Sequence, residues 1–90
     1  MGKDKDIVVK EVERMKAAFG SVLARRRVEA GLEQRVFARM AGIGNSHLRQ
    51  IEAGEVSPTL STMTKLALAL GTNVADLLAE ACEPTGPQRP

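Results

Sequence analysis

The sequence predicts an all-α fold. Apolar residues recur three and four positions apart through most of the 90-residue chain, first over residues 7–23, then over 34–53 and finally over 60–78. This spacing is typical of helices that have one apolar face. Glycines stand where successive helices would end, and they predict short helices joined by tight turns: Gly31, Gly42, Gly54 and Gly71.

The first helical pattern begins at Ile7. Its apolar stripe continues through Val8, Val12, Met15, Phe19, Val22 and Leu23. Because glycine costs a helix interior only about 1 kcal/mol, the pattern is compatible with one long helix through Gly20 or with two helices. We expect a break or bend near Gly20. The apolar stripe before that point would lie either against the body of the domain or against a second subunit.

The central segment, residues 34–53, predicts two short helices joined at Gly42. The residues that would face inward are Phe37, Ala38, Ala41, Ile43, Leu48 and Ile51. Helices of about two turns are not stable alone, so these two must pack on each other and on their neighbours. The residues left outside are polar: Gln34, Arg35, Arg39, Asn45, Ser46, Arg49 and Gln50. This is the layout of a helix-turn-helix.

The outer side chains of the second of these helices suit the edges of base pairs. Asparagine and glutamine can form two hydrogen bonds with adenine, arginine can do the same with guanine, and serine can bond either base.

At these residues the segment resembles the helix-turn-helix of the lambda-repressor, Cro and XRE-type family. Gln34 would open its second helix, Ala38 would take the close-packing position and Gly42 the turn, while Leu48 and Ile51 would form the core of the recognition helix. Neighbouring stretches resemble the rest of the family's domain: residues 24–34 the end of its first helix and the entry to its second, 51–71 its loop and fourth helix, and 72–78 its fifth.

The resemblance implies a five-helix, lambda-repressor-like DNA-binding domain over residues 19–82. Residues 1–18 would form an N-terminal extension that is partly helical. Residues 83–90 contain three prolines and one glycine, a composition that predicts a disordered tail.

The resemblance also implies roles for individual residues. The recognition helix, Asn45 to Ala53, would enter the major groove of double-stranded DNA. The residues expected to read bases are Asn45, Ser46, Arg49 and Gln50. The residues expected to hold phosphates are Gln34, Arg35 and Arg39. Arg27 matches a position whose guanidinium pairs with the glutamate before the loop, here Glu52, whereas Arg25 and Arg26 are expected to be solvated or to face phosphate.

Two residues depart from the family pattern. Glu33 stands where a serine, threonine or asparagine usually caps the second helix, and Gly44 stands where a hydroxyl residue usually caps the recognition helix. Each departure costs roughly 1 kcal/mol or less. We therefore expect the fold to be kept, with no side-chain contact to DNA from Gly44.

The remaining helices follow from the same spacing. The first helix should end at Ala30, and the fourth should run from Leu60 to Leu70 and be capped by Ser57 or Thr59. Its core residues would be Leu60, Met63, Leu66, Ala67 and Leu70. Thr72 or Asn73 should cap the fifth helix, a region that commonly forms the dimer seam in related repressors.

Positive charge is concentrated around the helix-turn-helix. Residues 25–49 carry six arginines and two glutamates, a net charge of +4, whereas residues 50–90 carry −3. A concentration of positive charge is what binding to phosphates requires.

Catalysis and cofactor binding are not expected. His47 is the single histidine and Cys82 the single cysteine, too few ligands for a zinc site and too few cysteines for an internal disulfide. We expect no cofactor, no membrane contact and no enzymatic activity. Because the sequence shows no signal peptide and no apolar run long enough for a membrane span, we expect a cytoplasmic protein associated with the nucleoid through DNA.

The sequence thus favours a transcriptional regulator, a repressor that binds duplex DNA as a homodimer. An antitoxin that also binds a second small protein, a toxin, is an alternative on the same fold. Another is a protein-interaction module that has lost DNA binding.

Overall fold

The computed structural model describes residues 2–83, and side chains from residue 5 onward. Five helices make up this part of the chain: α1 (Gly2–Glu29), α2 (Gln34–Ala41), α3 (Asn45–Glu52), α4 (Leu60–Ala69) and α5 (Val74–Cys82). Residues 2–83 contain no strand, so the predicted all-α fold is confirmed. The predicted disordered tail lies outside the described residues, apart from Glu83.

One core joins all five helices. Its buried residues are Phe19, Val22, Leu23, Phe37, Ala38, Ala41, Leu48, Ile51, Leu66, Ala67, Leu77 and Ala81. Phe37, Leu48 and Ile51 are at most 1 % exposed, which places the inner faces of α2 and α3 at the centre of the domain. Burial of these apolar side chains fixes the two helices relative to each other.

The expected break at Gly20 is wrong, because α1 is one helix from Gly2 to Glu29. A Cβ atom on Gly20 would collide with the main-chain oxygen of Ile51 and lie 2.7 Å from that of Glu52. Glycine is therefore required by the close approach of α1 to the end of α3, within a continuous helix.

The N-terminal part of α1 projects beyond the body of the domain. At 1.5 Å per residue its 28 residues span about 42 Å, which matches the longest dimension of the domain, 43 Å. Every residue of the segment 5–14, which we call the overhang, is exposed. None of the helices within residues 2–83 has the length and apolar character needed to cross a bilayer.

The ends of α4 and α5 are capped by side chains. The Thr59 hydroxyl accepts a hydrogen bond from the Thr62 amide at 3.1 Å, and the Asn73 side-chain oxygen accepts one from the Asp76 amide at 2.9 Å. The expectation that Leu60 belongs to the core is wrong, since this residue is 66 % exposed. Leu60 is the first residue of α4, where a side chain points back along the helix axis, away from its following turns.

Arg25 and Arg26 are neither free in solvent nor directed at a ligand. Both bind Glu80 of α5, with nitrogen to oxygen distances of 2.7 Å from Arg25 and 2.6 Å from Arg26. The hydrogen bonds from Arg26, followed by those from Arg25, hold the pKa of Glu80 below its usual value. These two arginines attach α1 to α5, and the expected phosphate-facing role is replaced by a structural one.

Candidate nucleic-acid interface

The turn between α2 and α3 is closed by backbone hydrogen bonds. Gly42 has a φ of 75°, and its N–H and that of Ile43 donate to the carbonyls of Arg39 and Ala38 at 3.1 and 3.0 Å. Glycine is favoured here because a side chain strains this left-handed conformation. Ile43 then packs against the core and fixes the angle at which α3 leaves the turn.

One face of α3 is anchored and the opposite face is free. Leu48 and Ile51 point into the core. The exposed face carries residues at positions i, i+3, i+4 and i+7, namely Ser46, Arg49, Gln50 and Ala53. Such residues form a single stripe along a helix, so three of the four residues expected to read bases share one outward surface.

The starts of α2 and α3 lack side-chain caps. Glu33 and Gly44 occupy the cap positions in extended conformations, and neither forms a side-chain cap hydrogen bond. The backbone carbonyl of Gly44 accepts the first helical bond, from Leu48. The two departures noted in the sequence therefore leave free amide groups at both helix starts.

Arg27 and Glu52 are brought together in a bidentate ion pair. The Nε and Nη2 atoms of Arg27 donate to the two carboxylate oxygens of Glu52 at 2.7 and 3.1 Å, and Nη1 donates to the Leu32 carbonyl at 2.7 Å. The Glu52 side chain is 5 % exposed and that of Arg27 14 %. This pair ties the last part of α1 to the end of α3.

The Gln34 side chain joins this pair. Its Nε2 atom donates to Glu52 Oε1 at 2.8 Å. Sequence reasoning placed Gln34 on phosphate and missed this bond, because the two residues are 18 positions apart in the chain. The amide group at the start of α2 is therefore held in place by a carboxylate from the end of α3.

The arginines of the helix-turn-helix differ from those of α1 in their partners. Arg14, Arg25, Arg26 and Arg27 each pair with a carboxylate. Arg35, Arg39 and Arg49 are exposed and lie within 4.0 Å of no carboxylate in the described part of the chain. The positive charge predicted from the sequence is thus divided, and among the arginines of residues 2–83 those of α2 and α3 are the ones without a carboxylate partner.

Asn45 differs from the other residues expected to read bases. It begins α3 and is half-buried, and its Oδ1 atom is buried without a hydrogen-bond partner. A buried acceptor without a donor costs about 1–3 kcal/mol. In this conformation the Asn45 oxygen is an unsatisfied acceptor and is not exposed, unlike the side chains of the outer stripe.

Sequence reasoning also missed Glu55 as a neighbour of the outer stripe. Ser46, Arg49, Gln50 and Ala53 form a shallow hollow of about 390 Å³ together with Glu55. The Glu55 amide donates to the Gln50 carbonyl at 2.9 Å, so the chain folds back over the end of α3. The glycine at position 54 is the sequence signal for such a turn.

The two residues that suggested reactive chemistry do not converge with others. His47 lies exposed on α3, and Cys82 is a free, exposed cysteine at the end of α5. No group of three or more histidine, cysteine, aspartate or glutamate side chains within the described residues is arranged to hold a metal ion.

The geometry matches a known family. The sequence model of the helix-turn-helix family HTH_3 matches residues 23–77, more than half of the chain, and this range contains both helices and the turn described above. The chain belongs to the helix-turn-helix family. The resemblance to XRE-type proteins and the lambda-repressor-like class of the fold are thereby confirmed.

Relatives within the helix-turn-helix family agree over most of the chain. The HTH-type transcriptional regulator PuuR of Escherichia coli is 35 % identical over 71 residues, which are 79 % of this chain and 38 % of PuuR. The chain therefore spans well under half of the length of that relative. An uncharacterized HTH-type transcriptional regulator of Sinorhizobium fredii, y4dJ, is 35 % identical over 77 % of this chain and 90 % of its own length.

A solved structure shows the same fold. The restriction-modification controller protein C.AhdI of Aeromonas hydrophila is 31 % identical, with a TM-score of 0.66 over 68 % of this chain and 92 % of its own. The chain has the DNA-binding fold of helix-turn-helix transcriptional regulators.

Proposed function

We propose that the protein is a transcriptional repressor that binds duplex DNA sequence-specifically as a homodimer. In this proposal α3 of each subunit enters a major groove, and the two grooves lie one helical turn apart on the same face of the duplex. The protein would act in the cytoplasm, on the DNA of the nucleoid.

The proposal rests on a difference between two groups of arginines, those of α1 and those of α2 and α3. Four arginines of α1 are paired with carboxylates, whereas Arg35, Arg39 and Arg49 on α2 and α3 are exposed and have no carboxylate partner within the described residues. Arginines without a carboxylate partner that lie together on α2 and α3 are suited to phosphate, because each contact releases counterions from the duplex.

The chemistry of the outer stripe supports base recognition. Ser46, Arg49 and Gln50 project from the exposed face of α3. Arginine recognises guanine and glutamine recognises adenine through paired hydrogen bonds in the major groove. We assign base reading to these three residues and to Asn45.

Phosphate binding is assigned to α2. Arg35 and Arg39 would contact the backbone on one side of the groove, and Gln34 would contribute at the start of the helix. The bond from Gln34 to Glu52 supports this role by holding the side chain at the start of α2, where the first amides have no side-chain cap.

The short length of α3 supports a dimer, and repression requires only that this dimer covers a promoter. At 1.5 Å per residue the eight residues of α3 span about 12 Å, which limits one subunit to a few base pairs. Two subunits related by a two-fold axis read two half-sites and double the recognised length. Repression needs no surface beyond this interface, since a protein bound over a promoter excludes the polymerase from it.

Binding to random duplex DNA in a salt series tests the proposal most directly. Fluorescence anisotropy should give an affinity that falls linearly on a log–log scale. Four phosphate contacts in a dimer, from Arg35 and Arg39, correspond to a slope of about −3.6.

Arg39→Ala should reduce the magnitude of that slope by about 2, because each dimer loses two contacts. Arg25→Ala is the matched control, since Arg25 is bound to Glu80, a carboxylate that Arg26 still holds in the variant, and it should leave the slope unchanged. Absence of binding at low salt would contradict the proposal and favour a protein-interaction module.

A further inference from the structure

An apolar groove lies between the overhang of α1 and the body of the domain. It has a volume of about 470 Å³, and its lining includes Val8, Val12, Met15, Pro58, Met63 and Leu78. On the overhang, Ile7, Val8 and Val9 are 64, 61 and 59 % exposed. Large apolar side chains are rarely exposed side by side on a protein that acts alone.

The apolar residues of α1 follow a heptad pattern. Val8, Val12, Met15, Phe19 and Val22 are spaced by four, three, four and three residues, which is the alternation of a coiled-coil seam. The later part of this stripe is covered in the structure, since Phe19 and Val22 are buried. The earlier part, Val8 and Val12, has the same pattern but no helix against it within the described residues.

We propose that the groove and the overhang bind the overhang of a second copy of this chain. The inference deepens the proposed function, on whose homodimer it rests, by naming the surface through which the subunits meet. Each copy presents both a groove and an overhang, so the contact is reciprocal and closes at two subunits.

The charges of the overhang favour a second copy over a strongly charged partner. The overhang, residues 5–14, carries three basic and three acidic side chains, which gives zero net charge. A nucleic acid or an anionic membrane would favour one sign of charge, and the overhang has no such bias. Two copies of a nearly neutral segment meet without net repulsion.

The groove is flanked by charges of opposite sign. Glu11 precedes Val12 and Lys16 follows Met15, and both line the groove. In the heptad these are the two positions beside the seam, where opposite charges set the pairing of two helices. Within one chain Glu11 is bound to Arg14 and Lys16 to Glu13, so a pair between Glu11 of one copy and Lys16 of the other would replace these two contacts.

The exposed face of α5 is less suited to the same contact. Its exposed apolar residues are the alanines at positions 75 and 79, and the helix carries Asp76 and Glu80 but no basic residue. Small side chains provide little apolar burial in a symmetric contact, and Glu80 is already bound to Arg25 and Arg26. The overhang, with valines and an isoleucine, provides much more.

Sedimentation velocity of the full chain over a concentration series tests the inference. We expect a dimer, and we expect Val8→Ser/Val12→Ser to raise its dissociation constant at least a hundredfold. Val28→Ser is the matched control, because Val28 is a valine of the same helix that is 63 % exposed but lies outside the heptad stripe. It should leave the dissociation constant unchanged. Circular dichroism should show that both variants are folded, because none of the three substituted valines is buried in the single chain.

Three results would overturn the inference. The first is a wild-type chain that stays monomeric at millimolar concentration. The second is a Val28→Ser dimer that is weakened as much as the Val8→Ser/Val12→Ser dimer, and the third is a Val8→Ser/Val12→Ser dimer with the dissociation constant of wild type. A wild-type chain that is monomeric alone but forms a 1:1 complex with a different small protein would also overturn it.

The DNA titration separates this inference from the proposed function. None of these substitutions changes a charge, so the monomeric Val8→Ser/Val12→Ser variant should still bind random duplex DNA. The slope of its affinity against salt concentration should be about half that of the dimer. Loss of the dimer with DNA binding retained confirms both proposals. A dimer that dissociates as expected but binds no DNA in any form supports the interface and contradicts the function.

Discussion

Gly20 of α1 lies directly against the main-chain carbonyl of Ile51, near the end of α3. A side chain at position 20 would meet backbone atoms, which cannot rotate aside as a flexible side chain can. Because Ile51 is itself buried in the core, α3 is not free to move away. Gly20 therefore sets how closely the first helix approaches the candidate recognition helix.

Gly20→Ala should destabilise the protein although alanine favours a helix. The added methyl group gains about 1 kcal/mol in helix propensity, but overpacking against backbone costs about 1–3 kcal/mol and adds to any shift of α3. We expect a lower free energy of unfolding in urea denaturation. Gly44→Ser is the control, because Gly44 has open space around it and a φ of −72°, and it should be neutral or slightly stabilising. A Gly20→Ala protein as stable as wild type would contradict the close contact.

Breaking the pair of Arg27 and Glu52 should cost about 3–5 kcal/mol. Arg27→Met leaves a carboxylate that is 5 % exposed with only Gln34 to donate to it. A double-mutant cycle with Glu52→Gln should yield a coupling energy of about 1–3 kcal/mol by urea denaturation. Arg14→Met removes a pair that is about half exposed on both sides and should leave the free energy of unfolding nearly unchanged. Equal effects of the two substitutions would show that burial of the pair is unimportant.

The contact of Glu80 with Arg25 and Arg26 predicts a loss of stability in acid. The pKa of Glu80 is lowered in the folded protein, chiefly by the hydrogen bonds from Arg26. The stability that this contact adds to the folded protein is therefore fully present above the ordinary glutamate pKa of about 4.3. It is lost as the pH falls through the lowered pKa of Glu80.

Glu80→Gln should reduce stability by about 1 kcal/mol at pH 7, and thermal melts should show this difference shrinking below pH 4. Glu29→Gln, which affects a more exposed carboxylate 3.5 Å from Arg25, should change little. If the stability difference between wild type and Glu80→Gln grew in acid, it would contradict this prediction.

Gln50→Ala and Arg39→Ala should separate base reading from phosphate binding. On a duplex selected for tight binding, Gln50→Ala should cost about 1–3 kcal/mol, while affinity for random duplex stays the same. Arg39→Ala should weaken both, because phosphates occur in every sequence. Anisotropy titrations at one fixed salt concentration measure both effects. Equal losses on the two duplexes for Gln50→Ala would remove this residue from base reading.

Asn45→Ala should reduce DNA affinity without reducing stability. Its Oδ1 atom is buried without a partner, so truncation removes an unsatisfied acceptor and should leave the unfolding free energy unchanged or raise it by up to about 1 kcal/mol. If Asn45 reads a base, affinity for the selected duplex falls by about 1–3 kcal/mol. A variant that is destabilised, with DNA affinity intact, would assign Asn45 to the fold alone.

The sequence by itself determined the helices and the buried faces. The start of α4 follows from local spacing and its cap residue, and the starts of α2 and α3 follow from the resemblance to the helix-turn-helix family. The inward residues of α2 and α3 were all found buried or packed against the core. This succeeded because an amphipathic helix records its inner face within each turn, and a glycine at a turn reports a conformation of its own backbone.

The tertiary structure alone decided which distant groups meet. It showed that Gly20 lies within a continuous helix, that Glu80 binds two arginines 54 and 55 positions away, and that Gln34 bonds to Glu52. It also left Leu60 exposed and placed an open groove beside the overhang. Helical periodicity specifies the face on which a residue lies, but its partner depends on how whole helices cross, and that is set by packing of the complete core.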